Sequence, residues 1–322
     1  MTPMHFESEY GALWAAFGEQ LEQAKLGKPV DGALLAARYR RVCENLALAQ
    51  SRAYPVHLVA RLEALAQDAN QLIYRRQDYG LHAFGRLLRV RLPNSVRAQG
   101  RLVLLALALF ALPLALAFAL ALQGPDFALR LLDAAQLREY EAMYADGKQS
   151  MGRLRDAGDD WQMFGHYIFN NIGIGFRCFG AGILAGVGSA FVLVYNGLVI
   201  GAIAGHLVRA GLGHNFWPFV ATHSSFELTG IVLSGAAGLA LGLGLLAPGR
   251  RTRLESLRAA ATAAVPLVYA AFFLLVVAAA FEAFWSSAAW IAPAVKYSVA
   301  GLCWSLVLLW LLRAGQGAAD AR

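Results

Sequence analysis

His223 and Glu227 are the residues of this chain best placed for chemistry. They stand four apart at the head of an uncharged run, ATHSSFELTGIVLSGAAGLALG, residues 221–242. That spacing puts both side chains on one face of a helix, within reach of each other. The run behind them is long enough to enter a bilayer, where ionisable groups are costly and mark ion pathways, proton relays or ligand sites. A buried His–Glu pair suits proton coupling. With Glu282 as a third donor it would supply, on paper, the three protein ligands of a zinc site. No HExxH or CxxC pattern accompanies these residues. The sequence therefore assigns no metal, no cofactor and no catalytic residue.

The elements that must carry these residues follow from composition. The chain has 322 residues, 58% of them hydrophobic and only 15% charged. Soluble domains hold about 45–50% apolar and about 25% charged residues. The fold class is all-α: a polytopic membrane helix bundle behind an N-terminal cytoplasmic helical bundle. Residues 1–92 form the cytoplasmic part, because Phe6, Tyr10, Leu13 and Phe17, then Leu35, Tyr39, Val42, Leu46 and Ala49, then Leu58, Leu62, Leu65, Ala69 and Leu72 recur at helical spacing. Pro29 and Pro55 separate the three helices. Arg86, Arg89, Arg91, Arg97 and Arg101, set among leucines, predict an interfacial segment on anionic headgroups. Residues 93–322 form the transmembrane domain, with about six segments near 102–122, 169–195, 197–212, 219–246, 261–281 and 294–312. Asn196-Gly197 is the expected break between the second and third, and the third is short or re-entrant. The run from Leu102 would act as an uncleaved anchor.

Charge sets the orientation. Lys and Arg outnumber Asp and Glu over residues 1–101, and the reverse holds over residues 123–168. Arg250, Arg251, Arg253 and Arg258 make the loop after residue 246 cytoplasmic. The expectation is a multi-pass protein of the bacterial cytoplasmic (inner) membrane with both termini cytoplasmic. Its basic residues are arginine-rich and juxtamembrane, where anionic membrane lipids account for them, and nucleic acid is not an expected partner. Cys43, Cys178 and Cys303 lie far apart and read as small apolar fillers.

This orientation brings Asn170, Asn171, His223, Glu227 and Glu282 to one depth near the outer leaflet, with Lys296 beside them. They form a candidate polar pocket for a lipid headgroup, an ion or another small substrate. The same residues could instead join helices, at about 0.6 kcal/mol per intramembrane hydrogen bond. Helix packing is expected at Gly182 and Gly186, at Gly197, Gly201 and Gly205 beside Asn196, and at Gly238 and Gly242. Small residues four apart let backbones approach closely in lipid, and could also offer a face to a second copy of the chain.

These motifs together resemble the stage II sporulation protein M (SpoIIM-like) family of integral membrane proteins. Asn170, Asn171, Phe176, Gly182, Gly186, Asn196, Gly197 and Gly201 match its NNI start, glycine-rich span and NG pair. His223, Glu227, Leu228, Ile231, Gly235, Gly238 and Gly242 match its histidine-to-EL block, and Glu282 in FEAFW matches a recurring glutamate. RYRRVCENLALAQSR, residues 38–52, is similar to its longer members. Ser224 stands where the family has glycine, and Thr229 where it has proline. The basic N-terminal bundle, the glycine rows and this resemblance together lead to the expectation of a non-enzymatic membrane component of a bacterial envelope-remodelling or stress-related complex, scaffolding partners through the cytoplasmic bundle. The resemblance implies partners such as an RDD-type membrane protein and a MoxR-type AAA+ ATPase. A transporter or lipid translocase using the pocket is the alternative, and an intramembrane hydrolase with Glu227 or Glu282 as base is a further one.

Overall fold

The computed structural model describes residues 2–26, 28–73, 81–145 and 157–316. It divides into two units, residues 1–84 and 85–322. The first holds α1 (Pro3–Lys25), α2 (Gly32–Ser51) and α3 (Val56–Ile73). Thr2 and Asp31 begin α1 and α2 by accepting hydrogen bonds from backbone N–H groups of the first turn. The apolar stripes meet in a closed core of Phe6, Trp14, Phe17, Val42, Leu58 and Leu62. Trp14, buried at the centre, falls outside the stripe read from the sequence for α1.

The second unit continues with α4 (Leu81–Arg86), a π-turn at Leu87–Arg91, α5 (Leu92–Ala98), α6 (Gly100–Gln123), α7 (Asp126–Leu129), α8 (Ala134–Tyr144), α9 (Ala157–Gly180), a 3-10 turn at Ala181–Ile183, α10 (Val187–Arg209), α11 (Gly213–Leu246), α12 (Arg253–Ala280), a π-turn at Phe281–Ser286, and α13 (Pro293–Arg313). Every regular element among the described residues is helical. Among the described residues five helices are long and apolar enough to cross a membrane: α6, α10, α11, α12 extended through its π-turn, and α13. The remaining long helix, α9, carries Asp159, Asp160 and Arg177 and packs along α11 and α12.

The expected break at Asn196-Gly197 is not where the chain turns. α10 runs unbroken through both residues. The Asn196 amide donates to the Val192 carbonyl, so its polar group is satisfied inside the helix. Gly197 serves close packing instead. A Cβ there would sit 2.3 Å from the Phe110 carbonyl oxygen of α6, and Gly201 and Gly205 continue that seam at Leu114 and Phe118. The turn falls at residues 181–186, where Ala185 and Gly186 have φ of 53° and 79°. Gly186 takes this left-handed conformation without a Cβ penalty.

The other two glycine pairs face each other. A Cβ on Gly182 would lie 2.2 Å from the Gly238 carbonyl oxygen, and one on Gly242 would lie 2.1 Å from the Gly186 amide nitrogen. These rows pack within the chain. The bundle has two distinct ends. At one, Gln99 donates to the Ala263 carbonyl, Arg97 to the Leu311 and Ala314 carbonyls, and Trp310 to the Leu88 carbonyl. At the other, α8 rests on α10 and the start of α11.

Candidate functional site

The site is assembled at this second end from α9, α11, the π-turn and α13. α11 is apolar enough to stay helical through His223 and Glu227, and both project from one face. The π-turn supplies Glu282 and Ser286. An i→i+5 turn inside a helix re-aims its side chains, and such turns recur at functional sites. α9 supplies Asn171 and α13 supplies Lys296.

One oxygen or nitrogen atom from each of His223, Glu227 and Glu282 lies within 4.8 Å of the other two. His223 is 4% exposed. Its Nδ1 lies 2.9 Å from Ser286 Oγ, and its Nε2 faces Glu227 Oε2 at 3.8 Å, beyond hydrogen-bonding distance. The Phe219 ring stands edge-on to the imidazole. Asn171, 1% exposed, donates from Nδ2 to Glu282 Oε2 at 3.4 Å. Asn170 is exposed and touches the site only through Asn171, whose Oδ1 accepts from its amide. Of the five residues singled out for the pocket, four therefore meet and one lies at the rim.

Lys296 does not pair with these acids in the structure. It is buried, and its Nζ donates to the Ser286 carbonyl at 2.7 Å, while its own carbonyl accepts from Thr222 Oγ1. Ser286 therefore links the histidine and the lysine, by its hydroxyl on one side and its carbonyl on the other. A cavity of about 230 Å³ begins at this point, lined by Tyr144, His214, Asn215, Phe219, Ser286 and Lys296 among others. Its roof is α8, opened by an Asp133 capping box and tied down by Glu141 Oε1 to His206 Nε2 at 2.7 Å and by Asn215 Nδ2 donating to the Tyr144 carbonyl at 2.9 Å. Burial, then the negative charge of Glu282, pushes the Tyr144 phenol above its ordinary pKa. It therefore stays neutral over the cavity.

Ser286, Tyr144 and His206 were not indicated by the sequence. Lys296 was, as a charge opening an apolar helix. Ser286 and Tyr144 carry no local signal: one depends on a π-turn and the other on the return of α8 over the bundle.

Comparison with known families places these residues in context. A family model described as stage II sporulation protein M matches residues 103–287, which include the three donors, the glycine seams and the π-turn. A model described as a domain of unknown function, DUF8413, matches residues 4–75. The segment 38–52 thus lies outside the first match, in a separate domain family. No curated protein and no solved structure matches the chain.

Proposed function

Because the chain belongs to the stage II sporulation protein M family, we propose that it is a non-enzymatic membrane component of a bacterial envelope-remodelling or stress-related complex. In this reading the N-terminal helical unit docks a protein partner, and the membrane unit presents a polar pocket for a ligand. The observation that carries it is the division of labour along the chain. A three-helix unit with its own closed core precedes a membrane bundle whose buried polar groups converge beside a cavity at one end. The arginines of the connector, at residues 250–258, lie at the opposite end, where α12 begins a few turns before Ala263 accepts from Gln99. The positive-inside rule then puts the connector and both termini in the cytoplasm of an inner-membrane protein and the cavity on the outer side.

The partners proposed are an RDD-type membrane protein and a MoxR-type AAA+ ATPase. Affinity purification from membranes tests this with the full chain and with a chain lacking residues 1–84. The truncated chain is expected to insert and remain monodisperse but to lose the partner. A partner that still co-purifies in equal amount would contradict the docking role. The cavity supports a second reading, a transporter or lipid translocase. Uptake or lipid-scrambling in vesicles that is lost in Glu227→Gln, with folding intact, would favour it.

A further inference from the structure

We propose that His223, Glu227 and Glu282 bind one divalent transition-metal ion, with zinc the best match. The inference deepens the reading of the pocket as a ligand site and does not depend on partner docking. Imidazole nitrogen and carboxylate oxygen are both donors that zinc accepts, and three protein ligands leave a fourth position open for water or substrate. Zinc–ligand bonds of about 2.0–2.2 Å put neighbouring ligand atoms roughly 3–4 Å apart. The three atoms here already lie within 4.8 Å. Side-chain rotation closes the remainder, and two of the donors are fixed to each other by their i,i+4 spacing on α11.

The surroundings point the same way by an independent observation. With hydrogen on Nδ1, His223 donates to Ser286 Oγ and presents the Nε2 lone pair to the carboxylates. In this tautomer Nε2 is open to a metal ion, whereas in the other Nε2–H points towards Glu227. Metal-bound histidines characteristically hold their other ring nitrogen in such a bond, and metal-bound carboxylates are held in turn. Asn171 does this for Glu282, and it is itself buried. Ser286 and Phe219 belong to both the donor cluster's surroundings and the cavity wall, so the fourth position is expected to communicate with the cavity.

The test uses tag-free full-length chain in detergent, stripped with a chelator and titrated with zinc chloride. Metal content is read by mass spectrometry, and cobalt(II) substitution is read by visible absorption. Wild type is expected to retain about one zinc per chain after desalting and to give the intense cobalt bands of a low-coordinate site. Glu282→Gln and His223→Gln are expected to abolish both. Asn171→Ala and Ser286→Ala, which leave every donor in place, should weaken zinc binding by about 10–100-fold. They keep the test decisive if a donor variant fails to fold. His57→Ala, exposed on α3, should leave binding unchanged. Failure of wild type to retain zinc overturns the proposal. So does retention with unaltered affinity in both Asn171→Ala and Ser286→Ala. Either failure would leave partner docking by residues 1–84 untouched.

Discussion

At the residue scale, His223 owes its environment to three different parts of the chain. Phe219 packs against its ring from one turn earlier, Ser286 holds Nδ1 from the π-turn, and Glu227 faces Nε2 from one turn later. The first and the last of these follow from i,i+4 spacing on one helix, which geometry alone fixes, whereas Ser286 is brought in by the fold. Glu282 was legible as an acid in an apolar run. Its meeting with Asn171 was legible only through the orientation of the spans. Tyr144 shows what could not be read: its place over the cavity depends on where α8 folds back. That burial has a consequence for pH. The folded-state pKa of the Tyr144 phenol lies above its unfolded value, so its contribution to stability is complete below about pH 10 and is lost as pH rises further. Wild type is expected to lose thermal stability between about pH 9 and pH 11 more steeply than Tyr144→Phe. Parallel slopes in melting experiments would count against a buried phenol at this position.

At the element scale, the membrane bundle is held by backbone-to-backbone approach. α10 lies so close to α6 that no side chain fits at Gly197, Gly201 or Gly205. In lipid, where apolar burial does not drive helices together, this packing contributes much of the association. Gly201→Ala should therefore lower stability by about 1–3 kcal/mol through overpacking. Gly301→Ala in α13, where an added Cβ meets nothing within 4 Å, should be neutral or gain up to about 1 kcal/mol. Equal effects, measured by unfolding in mixed micelles, would refute the seam. The same packing explains why the chain's turn was misplaced from sequence. Asn-Gly is a strong turn signal in water, but in a membrane helix glycine is also the residue of close contact. The actual turn at 181–186 has its own glycines, and these too match a packing motif. The N-terminal helices were plainly legible because their amphipathic period contrasts with an aqueous surface. The second half of α9 falls in the span expected near 169–195, whereas its start lies in the polar stretch that holds Asp159 and Asp160.

At the scale of the whole molecule, the chain divides into two units by sequence position. Residues 1–84 form a unit with its own core, and residues 85–322 form a bundle with chemically different ends. One end gathers arginines and amides that cap the carbonyls of α12 and α13. The other gathers the histidine, the two acids, the lysine and the cavity. Such polarity gives a membrane protein a defined orientation, and the orientation decides what the cavity can meet. The most direct measurement is thiol labelling of intact cells in a Cys43→Ser background, since Cys178 and Cys303 are buried. Single cysteines are placed at the cavity rim by His214→Cys and in the arginine-rich connector by Arg251→Cys. A membrane-impermeant maleimide should label the rim position in intact cells and the connector position only after permeabilisation. Labelling of the connector from outside, with the rim protected, would reverse the bundle and remove the outward-facing pocket.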